Sequence, residues 1–136
     1  MEQQEYFVPI AEICEKVLRQ YTLDIFYLIA TERNLSKRDL QFRFAEYDPD
    51  PNAKYIKYRF PVEAGIAALE GCLFISSWKK GTIERYNLTS YGEAAYRVIG
   101  ELLRQNPAEV LLGSMIVAPI TEKLQETQNG EDEENE

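Results

Sequence analysis

Ten of the chain's fifteen basic side chains fall between residues 33 and 85: Arg33, Lys37, Arg38, Arg43, Lys54, Lys57, Arg59, Lys79, Lys80 and Arg85. Tyr55, Tyr58 and Trp78 are interleaved with them. Cations spaced among aromatic rings are suited to neutralising phosphates, which gives salt-dependent, weakly sequence-selective attraction to nucleic acid. The flanking chain is acidic. Residues 1–32 hold 2 basic and 6 acidic side chains, 33–85 hold 10 and 7, and 86–136 hold 3 and 10, giving −4, +3 and −7 within a total of −8.

Other chemistry is poorly supplied. The 136 residues include no histidine, so the commonest general base, metal ligand and partner of a nucleophilic Ser or Cys is missing. No catalytic residue, metal site or cofactor is therefore expected, and the reading is of a protein that is not an enzyme. Cys14 and Cys72 lie in apolar contexts, where a thiol behaves as a small buried hydrophobe. The longest apolar candidate for a membrane span, 110–120, is interrupted by Gly113, Ser114 and Pro119. The first residues, Met-Glu-Gln-Gln-Glu, lack the basic and apolar regions of an export signal, so a cytoplasmic location is expected.

The elements that must position these cations can be read in order. After Pro9, the positions Ile10, Ile13, Cys14, Val17, Leu18 and Tyr21 form one helical stripe. Thr22 is suited to cap a second helix, apolar nearly all round through Leu23, Ile25, Phe26, Leu28 and Ile29, which Asn34 ends. Ser36 and Asp39 frame a third, short helix with Leu40 and Phe44 on its inner side. The breaker 48–52 follows, and then 55–60, whose alternation reads as a short strand or extended arm. Pro61 starts a helix that Gly71 stops in a left-handed cap, with Gly65 inside it at a cost of about 1 kcal/mol. The runs 72–78 and 83–88 flank Lys79-Lys80-Gly81-Thr82 as a hairpin. Ser90 and Glu93 propose a capping box for a long helix. From Asn106 a last helix aligns Leu112, Ile116, Ile120 and Leu124, with Pro119 as a kink or end. Residues 130–136 hold five acids and nothing apolar, so a disordered tail is expected at 128–136, beyond a single domain spanning 1–127.

This order of helix, short capped helix, helix, hairpin and long helix resembles the winged helix-turn-helix domains of small bacterial transcriptional regulators. The likeness runs over about residues 22–99 and is sharpest from Ala68 to Ile99. Ala-Leu-Glu-Gly-Cys-Leu-Phe-Ile looks like the end of a recognition helix passing into a wing strand. Tyr86-Asn-Leu-Thr-Ser-Tyr-Gly92 is similar to the pattern closing the wing in multiple-antibiotic-resistance and phenolic-acid-decarboxylase regulators. In such a strand Tyr86 and Leu88 share the inward face. The sequence departs from that pattern twice. Residues 47–60 lengthen a connection that is usually short, and the helix 61–71 carries Glu63 and Glu70 but no Lys, Arg, Asn or Gln with which to read a base edge.

The resemblance implies a mostly α fold with a β-hairpin wing and additional N- and C-terminal helices. It also implies a protein that binds double-stranded DNA, mainly through phosphates, and pairs as a homodimer through its terminal helices. The residues assigned to phosphate contact are Lys37, Arg38, Arg43, Lys57, Arg59, Lys79, Lys80 and Arg85. The alternative is a winged helix used as a protein-interaction module that does not bind DNA. Basic hairpin tips also serve as solubilising charges, and Lys57 and Arg59 also fit the wet face of an edge strand.

Overall fold

A computed structural model of the chain describes residues 7–134, with side chains as far as Thr127. Among these residues there are seven helices and one two-stranded antiparallel hairpin. The order is α1 (Ile10–Val17), α2 (Gln20–Glu32), α3 (Lys37–Glu46), α4 (Arg59–Gly71), β1 (Ile75–Lys80), β2 (Ile83–Leu88), α5 (Ser90–Gln105), α6 (Pro107–Val110) and α7 (Val117–Glu134). No helix of the described residues is long and apolar enough to cross a membrane.

The all-round apolar helix becomes the centre of the core, with Leu23, Ile25, Phe26, Leu28 and Ile29 of α2 buried. It starts two residues before Thr22, at Gln20, and no side chain caps it; backbone bonds from Thr22 and Leu23 to the Arg19 carbonyl close the turn instead. Arg33 and Asn34 end it with positive φ. α4 packs across α2 at Gly65, where a β-carbon would stand 2.3 Å from Ile25 Cδ1. The glycine therefore sets the distance between two helices, and this close approach compensates its poor helix propensity. On the other flank α1 lies against α5, with Cys14 and Leu18 buried.

Residues 55–60 are not a strand. Tyr55–Tyr58 form a 3-10 turn that runs directly into α4. The reason is the spacing of the anchors: three residues apart, Tyr55 packs on Phe42 at 4.4 Å between ring centroids, while Tyr58 is buried against Phe44 and Tyr21. A two-residue alternation would put those rings on opposite faces. Gly71 ends α4, but not in a left-handed cap. Leu73 takes the left-handed conformation, φ 66°, while Leu73 N–H donates to Glu70 and Phe74 N–H to Leu69, as in a Schellman motif.

The hairpin pairs Ile75 with Leu88 through Lys80 with Ile83, and its two-residue loop has Gly81 at φ 66° in the first central position. Leu35, between α2 and α3, bridges Tyr86 from the far side of β2, and the Tyr86 N–H donates to the Leu35 carbonyl at 3.0 Å. Ile75 and Tyr86 are buried at the hairpin root, whereas the rest of β1 is exposed. The cap of α5 is Thr89, not Ser90: its hydroxyl accepts from Gly92 N–H at 2.9 Å and donates to the Leu73 carbonyl at 2.6 Å. A β-carbon on Gly92 would meet the Phe74 carbonyl oxygen at 1.9 Å, so α5 starts in direct contact with the hairpin root.

The last helix of the sequence reading is two. α6 ends at Val110, Gly113 turns the chain at φ 80°, and α7 begins at Val117 with Pro119 in its first turn, where a missing N–H costs nothing. Ile116 is buried, but Leu112 and Leu124 are exposed, so the four apolar positions do not share one packed side. α7 carries the backbone to Glu134, past the start of the tail expected at 128–136; side chains from 128 and residues 135–136 lie outside the described residues.

Candidate nucleic-acid interface

Ser36 and Asp39 fix the first turn of α3 by a reciprocal cap: Ser36 Oγ accepts from Asp39 N–H at 3.2 Å, and Asp39 Oδ2 accepts from Ser36 N–H at 2.9 Å. This rigid turn presents Lys37 and Arg38 at the start of the helix. Beside it, the Leu35 bridge holds β2, and the hairpin tip leans over the same spot. Lys37, Arg38, Lys79 and Glu84 line one open cleft of about 500 Å³. Lys37 and Arg38 stand where a helix dipole favours anions over cations, so a phosphate bound there would relieve an unfavourable local field.

The remaining basic residues divide. Arg85 lies beside the cleft and is committed to the protein, donating to the Asn34 carbonyl at 2.8 Å and standing 3.6 Å from Asp39. Lys80 follows Lys79 in an extended strand, so its side chain leaves the opposite face. Arg43, six residues along α3 from Lys37, is held by Glu32 at 2.8 Å and Glu46 at 3.4 Å. Lys57 is bonded to Asp48 at 2.8 Å. Arg59 is exposed at the start of α4. Of the eight residues named from sequence, three therefore share the cleft, Arg85 borders it, Lys80 leaves the opposite face of its strand, Arg43 and Lys57 are held by carboxylates, and Arg59 is not among the residues that line it. The physical cause is that a helix rotates and a strand alternates its side chains, so nearness in sequence is not nearness of face.

Lys37 is also shared with α4, its Nζ donating to Glu63 at 2.8 Å. Around Glu63 the outward side of α4 carries Phe60, Ala64, Ala67 and Glu70, all exposed. Arg38 stands over the Tyr55 ring at 5.9 Å, within cation–π range.

Several structural residues are not evident from local pattern. Asp24 is fully buried on α2, and its carboxylate accepts from Ser114 Oγ at 2.6 Å and from the backbone N–H groups of Met115, Ile116 and Val117 at 2.8–3.1 Å. An acid inside an otherwise apolar helix is the sequence signal for such a role, because a buried carboxylate needs donors. Asn34 and Asn87 exchange two hydrogen bonds, at 3.0 and 3.1 Å, tying the α2–α3 loop to β2. Asp48 accepts from Lys57, from the Tyr58 hydroxyl and from Asp50 N–H, and these bonds, led by Lys57, pull its pKa from 3.8 to about 2. Among the described residues, no three His, Cys, Asp or Glu side chains stand close enough to hold a metal ion. Compared with protein-family models, curated proteins and solved structures, the chain matches none.

Proposed function

We propose that the chain is a winged-helix protein of the cytoplasm that binds double-stranded DNA through its phosphates, as a transcriptional regulator or a DNA-binding accessory factor, with no catalytic role. The observation that carries this reading is the cleft in which Lys37 and Arg38 of α3 meet Lys79 of the hairpin. The winged-helix part is supported by the connectivity. A one-residue bridge between the first and second helices of the trihelical core α2–α3–α4 extends the hairpin to a third chain segment. In this reading the hairpin is the wing, and α4 occupies the place of the recognition helix without the side chains for base readout. Two copies pair through their terminal elements, where Leu112 and Leu124 remain 71% and 61% exposed.

The face of α4 favours a second reading, a winged helix that docks on protein. Glu63 and Glu70 repel a phosphate backbone, and Phe60, 79% exposed, is a typical apolar anchor for a protein partner. Fluorescence anisotropy with a random-sequence duplex separates the two. Three phosphate contacts give a salt slope near −3, so affinity is expected to fall about 40-fold between 50 and 200 mM salt. No binding at 50 mM salt would reject DNA and leave the protein-docking reading.

A further inference from the structure

Between α2, α5 and α7 lies a cavity of about 230 Å³, partly open to solvent. Leu23 and Phe26 line it from α2, Ile99 and Leu103 from α5, and Val117 and Ile120 from α7. No charged residue lines it, and the lining residues that carry a polar group on the side chain are Tyr27, Tyr96 and Thr121. Gly100 is also on the wall, in the interior of α5, where glycine costs about 1 kcal/mol relative to alanine. A β-carbon there would meet no atom within 4 Å. Gly65 and Gly92 are required by close contacts; Gly100 is not, and a side chain there would enter open space.

We infer that this cavity is a binding site for a small uncharged apolar molecule, of the size of a one- or two-ring aromatic. Apolar cavities of about 150 Å³ already remain dry and admit benzene, so this one has the volume and the lining for a larger guest. An anion would give up its hydration with no cation to receive it, which excludes carboxylates. A hydroxyl or ring N–H on the guest finds Thr121 or a tyrosine at the rim. The site involves none of the cleft cations and stands independently of DNA binding.

The test uses the full chain with indole as probe and benzoate as its anionic counterpart. Indole at ten times its Kd is expected to raise Tm by a few degrees, on the order of 3–5 °C, and benzoate to leave it unchanged. Gly100→Leu, which fills the space, is expected to raise Tm on its own and to abolish the indole response. Methyl spectra of the wild type provide a readout independent of that variant: indole shifts Ile99 and Ile120 and leaves Ile75 in place. No Tm rise at indole saturation, an equal rise with benzoate, an undiminished response in Gly100→Leu, or shifts that spare Ile99 and Ile120 would each overturn the inference. So would an indole response that vanishes as protein concentration rises, because the face would then belong to a second copy.

Discussion

Asp24 shows how one side chain decides the position of an entire element. Its carboxylate supplies four acceptances to a segment ninety residues away, and three of them satisfy N–H groups at the start of α7 that the helix itself cannot. Asp24→Ala leaves those donors unpaired in a dry site and is expected to cost about 2–4 kcal/mol in denaturant unfolding. Asp48 makes a pH-dependent contribution. Its folded pKa of about 2 lies below the ordinary 3.8, so its stabilisation is complete above about pH 4 and is lost as pH falls toward 2. Unfolding midpoints followed from pH 5 to pH 2 are expected to drop less steeply in Asp48→Asn than in the wild type. At this scale the sequence is readable where partners are near: Ser36 and Asp39 cap each other across three residues and were evident. The bond from Asp24 to Ser114 was not, because no local pattern names a partner ninety positions on.

At the scale of elements, the periodic helices and the hairpin were legible, and the errors lie at junctions. The alternation in residues 55–60 suggested a strand, but only packing on α3 decides that Tyr55 and Tyr58 must share a side. Gly71 ends α4 as its position suggests, but the left-handed conformation that glycine usually takes falls to Leu73, so that Phe74 reaches the core while the hairpin root docks on α5. Leu73 is 68% exposed, and its side chain contributes little buried area to offset the backbone strain. Leu73→Gly is accordingly expected to stabilise the protein by about 1 kcal/mol, measured as a higher denaturant midpoint with unchanged slope. The split between α6 and α7 was hidden because Leu112, Ile116, Ile120 and Leu124 keep a helical spacing across the turn at Gly113.

For the whole molecule, the one stretch of sequence with an excess of positive charge lies between residues 33 and 85, in a chain of net charge −8. Composition located that stretch and could not say that half of its assigned cations are committed to carboxylates. Lys37 to Glu63, Arg43 to Glu32, Lys57 to Asp48 and Arg85 to Asp39 are all paired. Exposed pairs of this kind are worth little, so a phosphate can compete for Lys37, which already lies in the cleft. Arg43 and Lys57 are held away from it.

The distinction between cleft and non-cleft cations gives the most direct test. Duplex affinity is measured from 50 to 200 mM salt for the wild type, for the triple variant Lys37→Gln, Arg38→Gln, Lys79→Gln, and for the double variant Arg43→Gln, Lys57→Gln. The cleft account predicts that the triple variant loses most of the salt slope, about 0.9 for each phosphate contact removed, while the double variant retains it. Equal losses in the two variants, or a wild type whose duplex binding is absent at 50 mM salt, would contradict it.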